Sequence, residues 1–284
     1  MSNVIELNNV VKDFGDFKLD NATFSVPKGC ICGFIGQNGA GKSTTIKLIL
    51  DILRRDSGEI LIFDKDSVKS TELKEDIGVV FDEMGFHEFM SPSDINIMMK
   101  NIFKNWEEDV FFQYLTRFGL PRKKPCGSFS RGMRMKLQIA VALSHKAKLL
   151  IMDEPTSGLD PIVRNEILDI FQEFVMEEDH TILLSSHITS DIERIADMVV
   201  FINAGKIILA GNKEEIIENH GIIKCKKEDI DKIHKEDIVS VRKGTFCTEV
   251  LVANSEGCSK KYADIVIEQT TLEDIMIFYV NAQK

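Results

Sequence analysis

No apolar run in the 284 residues approaches the roughly 20 needed to span a bilayer. The opening MSNVIELNNV has neither the basic nor the apolar part of a secretion signal, so the chain is expected to stay in the cytoplasm. An excess of positive charge is also missing. With 45 acidic residues against 35 basic ones the net charge is −10, which removes the long-range attraction to polyanions and disfavours a direct nucleic-acid role. Cysteine is scarce: of six, the only close pair is Cys30 and Cys32, inside the apolar run Cys30-Ile31-Cys32-Gly33-Phe34-Ile35. Two strand residues two positions apart share a face without a loop to wrap an ion, so they read as small core residues and no zinc site is expected. Internal repeats and low-complexity linkers are missing too. What is plentiful is apolar side chain, 44% of residues, enough for one substantial core and a small accessory one.

The alternation of apolar segments predicts a hairpin-like start over 3–11 and 17–26, a strand at 30–35, a glycine-rich loop and a helix over 42–54. A short strand at 59–63, a polar helix and a strand at 77–81 follow, and the pattern then turns almost wholly helical from Ser91 to Ala147. Strands return at 149–152 and 181–185 around an amphipathic helix over 161–178. This alternation indicates a parallel α/β core. Residues 198–202 and 206–210, joined by Asn203-Ala204-Gly205, predict a closing hairpin. After a short helix at 213–219 come a lysine-rich stretch, strand-like runs at 238–242 and 246–253, and an apolar helical segment at 272–279 whose spacing suits docking on a core. The expected organisation is a cassette over 1–221, with a helical subdomain near 91–147, and a small accessory α+β region over 222–284.

Gly36-Gln37-Asn38-Gly39-Ala40-Gly41-Lys42-Ser43 satisfies GxxxxGK[ST] between an apolar strand and a helix, the context that a phosphate loop needs. Its glycines let backbone N–H groups turn toward phosphate, and the helix offers its positive end to the same anion. Lys42 is expected on the terminal phosphates, Thr44 in the nucleotide site and Ser43 on Mg²⁺, which prefers hard oxygen ligands. The second half is Leu149-Leu150-Ile151-Met152-Asp153-Glu154, a buried strand ending in two acids. Asp153 is expected to hold Mg²⁺ and Glu154 to polarise the attacking water. The two side chains leave the strand on opposite sides, so Glu154 has to bend back where the strand ends.

Asp153-Glu154-Pro155-Thr156-Ser157-Gly158-Leu159-Asp160 closely resembles the contiguous Walker B and D-loop of the ATP-binding cassette (ABC) ATPases. The resemblance runs over about residues 3–220, and Lys42 and Asp153 stand 111 positions apart, room for a helical subdomain but not for a long coiled-coil insertion. It implies a P-loop NTPase core with antiparallel β and α-helical subdomains. His187, in Ser185-Ser186-His187, takes the place of the switch histidine at the γ-phosphate. Phe129-Ser130-Arg131-Gly132-Met133 is a degenerate signature, keeping Ser130 and Gly132, which in the family meet ATP held by the opposite subunit. Arg131 departs from the pattern, either adding charge near the phosphates or standing solvated. The Q-loop glutamine is replaced by Asp82, a possible oxygen ligand for Mg²⁺ or part of a solvated turn, and Phe14 takes the place of the adenine-stacking aromatic, with core packing as the alternative.

The resemblance further implies ATP and Mg²⁺ as cofactors and a head-to-tail homodimer organised in part by Asp160. It also implies ATP hydrolysis driving transport, of the bacterial efflux or antimicrobial-peptide resistance type, through separate transmembrane permease subunits at the inner face of the membrane. Met84-Gly85-Phe86-His87-Glu88-Phe89-Met90 is rich in apolar residues for a connecting segment and is a candidate docking groove, unless Phe86 and Phe89 pack internally. A soluble cassette ATPase serving assembly or regulation is the alternative function.

Overall fold

Three strands made entirely of buried residues, Ile31–Ile35, Leu149–Asp153 and Thr181–Ser186, lie side by side within a six-stranded sheet. The computed structural model describes every residue except Met1, Lys69, Glu178, Thr245, Phe246, Ala263, Asp264, Gln283 and Lys284, and the side chain of Thr71. The Glu178 end of the expected helix, the Phe246 start of one expected strand and both ends of the chain lie outside the described residues.

The chain opens with β1 (Asn3–Asp13), β2 (Lys18–Pro27), β3 (Ile31–Ile35), α1 (Lys42–Ile49), β4 (Ser57–Ile62), β5 (Lys65–Asp66) and β6 (Ile77–Val80). Next come α2 (Pro92–Ile102), α3 (Glu108–Arg117), α4 (Arg131–Leu143), β7 (Leu149–Asp153), α5 (Pro161–Val175), β8 (Thr181–Ser186), α6 (Thr189–Ile195), β9 (Met198–Asn203) and β10 (Lys206–Asn212). The last part holds α7 (Lys213–Asn219), β11 (His220–Cys225), β12 (Ile238–Lys243), β13 (Thr248–Ala253), α8 (Ser255–Lys261), β14 (Ile267–Gln269) and α9 (Leu272–Ala282).

The main sheet has the order β10-β9-β3-β8-β7-β6, parallel except for the β9–β10 hairpin. Successive side chains of its strands enter different cores, as the two-residue period requires. Ile31, Leu150, Met152, Ile182 and Leu184 join α2 to α6 on one face, while Cys32, Phe34, Leu149, Ile151 and Leu183 join α1 and the antiparallel sheet β2-β1-β4-β5 on the other. Burial on both faces is why these strands read as continuous apolar runs. Cys30 and Cys32 share the second core, and burial pushes the Cys30 thiol up to about 11 and Cys32 higher still, which leaves both as unreactive packing residues.

Two helices end earlier than the periodicity suggests. α1 stops at Ile49 rather than 54, because Asp51 takes a left-handed conformation (φ 54°) and the Ile52 and Leu53 N–H groups fold back onto the Lys47 carbonyl. α5 ends at Val175. The 91–147 region is three helices, with α2 started by a capping box between Ser91 and Asp94 and by Pro92, and α3 closed by Gly119 at φ 65°. The polar helix expected before β6 is a 3-10 turn, Thr71–Asp76.

The third sheet, β12-β13-β11-β14, is antiparallel. Its strand β11 falls where the sequence reads as a helix end and a lysine-rich stretch. The reason is its two-sided burial: Ile222 packs with Ile275 and Phe278 of α9, while the adjacent Ile223 packs with Val250, Cys258 and Tyr262 on the other face. Two adjacent apolar residues in a six-residue strand carry no period. α9 also has two working faces, since its Leu272, Met276 and Val280 enter the main core. The Leu272 N–H donates to Glu193 Oε1 of α6 at 2.8 Å.

Candidate active site

Ligands of open parallel sheets bind beyond the carboxyl ends of the strands. Here the ends of β3, β8 and β7 are adjacent, with Ile35 opposite Ser186 and Ser185 opposite Asp153. The phosphate loop leaves β3 and enters α1 through Gly41, whose φ of 116° is open only to glycine among common residues. A side chain at Gly36 would strike the Ile202 carbonyl, with 2.4 Å to its oxygen, so this glycine is needed for close packing beneath the loop. Ala40 is buried there, and its N–H donates to the Gln37 carbonyl at 3.1 Å.

A cleft of about 610 Å³ opens above these strand ends, lined by Asn38, Gly39, Gly41, Lys42, Ser43 and Thr44 from the loop and by Asp82, Asp153, Glu154, Ser157 and His187 from across it. Lys42 is buried, and its ammonium donates to the Gly36 and Gln37 carbonyls at 2.7 and 3.2 Å. It also lies 3.1 Å from Glu154 Oε1, an ion pair without hydrogen-bond alignment. Asp153 is buried and accepts from Ser185 Oγ at 2.7 Å.

Glu154 supplies the bend that the sequence required. β7 ends at Asp153 and Glu154 adopts φ 54°, a left-handed conformation that is uncommon for a residue with a side chain. The turn is held by its own N–H, which donates to Ser185 Oγ at 3.0 Å. The carboxylate therefore swings to the loop side, where Oε2 lies 2.7 Å from His187 Nδ1. A carboxylate only accepts, so the His187 proton sits on Nδ1. Ser185 is thus a positioning residue for both acids, and only its polarity within an apolar strand marks it in the sequence.

Asp82 lies on the far wall of the cleft, and its carboxylate is bound by Arg131 Nη2 at 2.5 Å. Arg131 is therefore neither a free charge at the phosphates nor merely solvated. Phe14 is half exposed and does not line the cleft; Phe17, with ring centroids 6.4 Å away, does. Ser130 and Asp160 each have a local duty as helix caps: Ser130 Oγ accepts from the Met133 N–H at 3.2 Å, and Asp160 Oδ1 from the Ile162 and Val163 N–H groups at 3.1 Å. Neither they nor Gly132 line the cleft formed by the loop of the same chain. Behind the D-loop, buried Asp191 of α6 accepts from Thr156 Oγ1 at 2.7 Å and pairs with Arg164.

A buried lysine in a glycine loop, a carboxylate turned toward it by a strained backbone, and a histidine on that carboxylate meet in one cleft, an arrangement whose chemistry suits an anion with a water polarised beside it. The ABC transporter family model matches residues 19–157. The bacitracin transport ATP-binding protein BcrA of Bacillus licheniformis is 37% identical over 78% of this chain and 72% of its own length. This chain belongs to the ABC transporter ATP-binding family.

The lantibiotic transport ATP-binding protein SrtF of Streptococcus pyogenes is 36% identical over 76% of this cassette protein and 96% of its own length. Among solved structures, cbiO1 of Clostridium perfringens, part of an ABC transporter complex, superposes with a TM-score of 0.65 at 28% identity, over 77% of this chain and 92% of that one. The chain is thus an ATP-binding and ATP-hydrolysing subunit of an ABC transporter, with the P-loop fold expected from its motifs. Its relatives give no support to an assembly or regulatory ATPase. No helix among the described residues is long and apolar enough to cross a membrane.

Proposed function

We propose that this subunit drives export of an antimicrobial compound of the bacitracin or lantibiotic kind through separate permease subunits, acting at the inner face of the membrane. The observation that carries the substrate class is the company it keeps: relatives named for bacitracin transport, lantibiotic transport and linearmycin resistance. Residues 1–221 are the motor in this reading, and 222–284 an accessory region. Deleting the gene in its host should lower the inhibitory concentration of such a compound, and the Glu154→Gln form should fail to restore it. Unchanged sensitivity across bacitracin and lantibiotics would remove this substrate class.

Lys42 and the N–H groups from Gly36 to Thr44 bind the phosphates in this reading, while Glu154, oriented by His187, accepts the proton of the attacking water. The oxygens of Ser43, Asp153 and Asp82 face one cleft, and this hard-donor set suits Mg²⁺. No group of three or more Asp, Glu, His or Cys residues forms a metal cage among the described residues. That fits an ion completed by phosphate and water, and when bound it would supply charge neutralisation at the phosphates. Ser130, Gly132 and Asp160, all outside the cleft of their own chain, are the surface offered to a second cassette.

For the permease, two surfaces compete. In the Met84–Met90 segment, Met84, Phe86 and Met90 pack against the main core, and of its apolar side chains only Phe89, 82% exposed, points out. A separate apolar hollow of about 340 Å³ is lined by Ile49, Ile52, Leu73, Val79, Phe81 and Phe103. Its rim residue Ile52 is 57% exposed, so this hollow suits an apolar partner segment, with the exposed Phe89 as the rival contact.

A further inference from the structure

Two of the positions at which this chain departs from the motifs it resembles, Asp82 and Arg131, are 49 residues apart in sequence and hydrogen-bonded in space. Asp82 is part of two walls at once. It lines the nucleotide cleft with Lys42, Ser43 and Asp153, and it lines an adjoining cavity of about 710 Å³ with Arg131, Arg134 and Gln138. The residue before it is clamped: the buried Gln138 side chain accepts from the Phe81 N–H at 3.4 Å and donates to the Phe81 carbonyl at 3.1 Å. Asp82 is therefore the first residue after β6 that no main-chain grip of this kind holds. Arg131 is the first residue of α4, and its guanidinium lies over the D-loop, where a side-chain carbon at Gly158 would be 3.1 Å from Nη1.

We propose that Arg131 is a positioning residue that holds Asp82 in a latch across the edge of the cleft, and that Asp82 exchanges Arg131 for the divalent ion of the bound nucleotide. This rests on the nucleotide and Mg²⁺ reading above. The charges give the direction. Without a divalent ion, an unneutralised Asp82 beside Asp153, Glu154 and the phosphates would repel nucleotide, and Arg131 cancels that charge. With the ion present, Asp82 has a second cation to serve, and its release frees Arg131, at the start of α4 and over Gly158, while Gln138 keeps the body of α4 on Phe81. Metal loading is thereby tied to the freedom of the signature segment. Both side chains are about half exposed, at 49% and 51%, so the latch is weak enough for an ion to open.

The test is binding of a fluorescent, non-hydrolysable ATP analogue to the full chain, titrated with and without Mg²⁺. In Arg131→Met, affinity without Mg²⁺ should fall while affinity at saturating Mg²⁺ is kept, widening the ratio about 2–5-fold. Arg131→Lys, which keeps the charge, should restore most of the difference. In an Asp82→Asn background the Arg131→Met substitution should have no further effect. An unchanged ratio in Arg131→Met, or the same widening in the Asp82→Asn background, would overturn the latch while leaving nucleotide binding intact. No analogue binding by the unaltered chain, or binding indifferent to Lys42→Ala, would overturn the nucleotide reading and the latch with it.

Discussion

Two cation–carboxylate pairs close the same cleft, and burial sets them apart. The side chains of Lys42 and Glu154 are 5% and 14% exposed, those of Arg131 and Asp82 49% and 51%. Removing one partner of a buried pair strands a charge, whereas an exposed pair is screened by water and salt and contributes little to stability. The buried pair is accordingly framed by features that fix it, the left-handed Glu154 and the Ser185 hydroxyl. The exposed pair lies one residue beyond the Gln138–Phe81 clamp that ties α4 to the end of β6, and no such main-chain grip frames it. One end of the cleft is built for chemistry that tolerates no misplacement, and the other for adjustment.

The sharpest break in that contrast is Glu154→Gln. It keeps the shape of the side chain but removes the carboxylate that takes a proton in the proposed mechanism, so ATPase activity should fall about 10²-fold or more. The ATP-bound dimer should persist, because the amide no longer adds negative charge beside the phosphates. Phosphate release measures the first effect, and light scattering with ATP the second. A variant that is active and monomeric would show that the buried pair is structural only.

Ser185→Ala comes next. The hydroxyl is fully buried, accepts from the Glu154 N–H and donates to Asp153. Its loss takes a hydrogen bond from the buried Asp153 carboxylate and leaves the Glu154 N–H only its longer contact with the Ser185 carbonyl at 3.3 Å, so stability in denaturant should drop by about 1–3 kcal/mol. Because the same hydroxyl holds the left-handed turn, turnover should fall with it. A stability loss with unchanged turnover would mean that His187 and Lys42 alone aim the carboxylate.

The same division decides what could be read before the fold was known. The phosphate loop and the Asp153–Asp160 string are contiguous, so spacing alone carries their chemistry, and the β3, β7 and β8 runs announce burial on both faces. Ser185, Phe17 and the Arg131–Asp82 pair are legible only once strands 149–153 and 181–186 are side by side and α4 is folded over β6. Phe14 and Phe17 are alike in sequence, and only the path of the chain between β1 and β2 puts the second at the cleft. In the third sheet, β11 escapes notice because Ile222 and Ile223 face different cores. Local motifs survive without tertiary information, while pairings between distant polar residues do not.

The smallest expected effect belongs to Gly158→Ala, and it probes the exposed pair without touching either charge. Gly158 has φ +66°, where an L-residue is strained by about 1–2 kcal/mol, and its added carbon would press on the Arg131 guanidinium. Two consequences should therefore appear together: a lower unfolding midpoint from the strain, and a widening of the Mg²⁺ dependence of nucleotide binding smaller than that of Arg131→Met. Combining the substitutions separates them. In an Arg131→Met background the strain remains, but there is no guanidinium left to displace, so Gly158→Ala should lower stability and leave the Mg²⁺ ratio where it was. If the ratio still moves, the D-loop acts on Asp82 by some route other than Arg131, and the adjustable end of the cleft has a second connection.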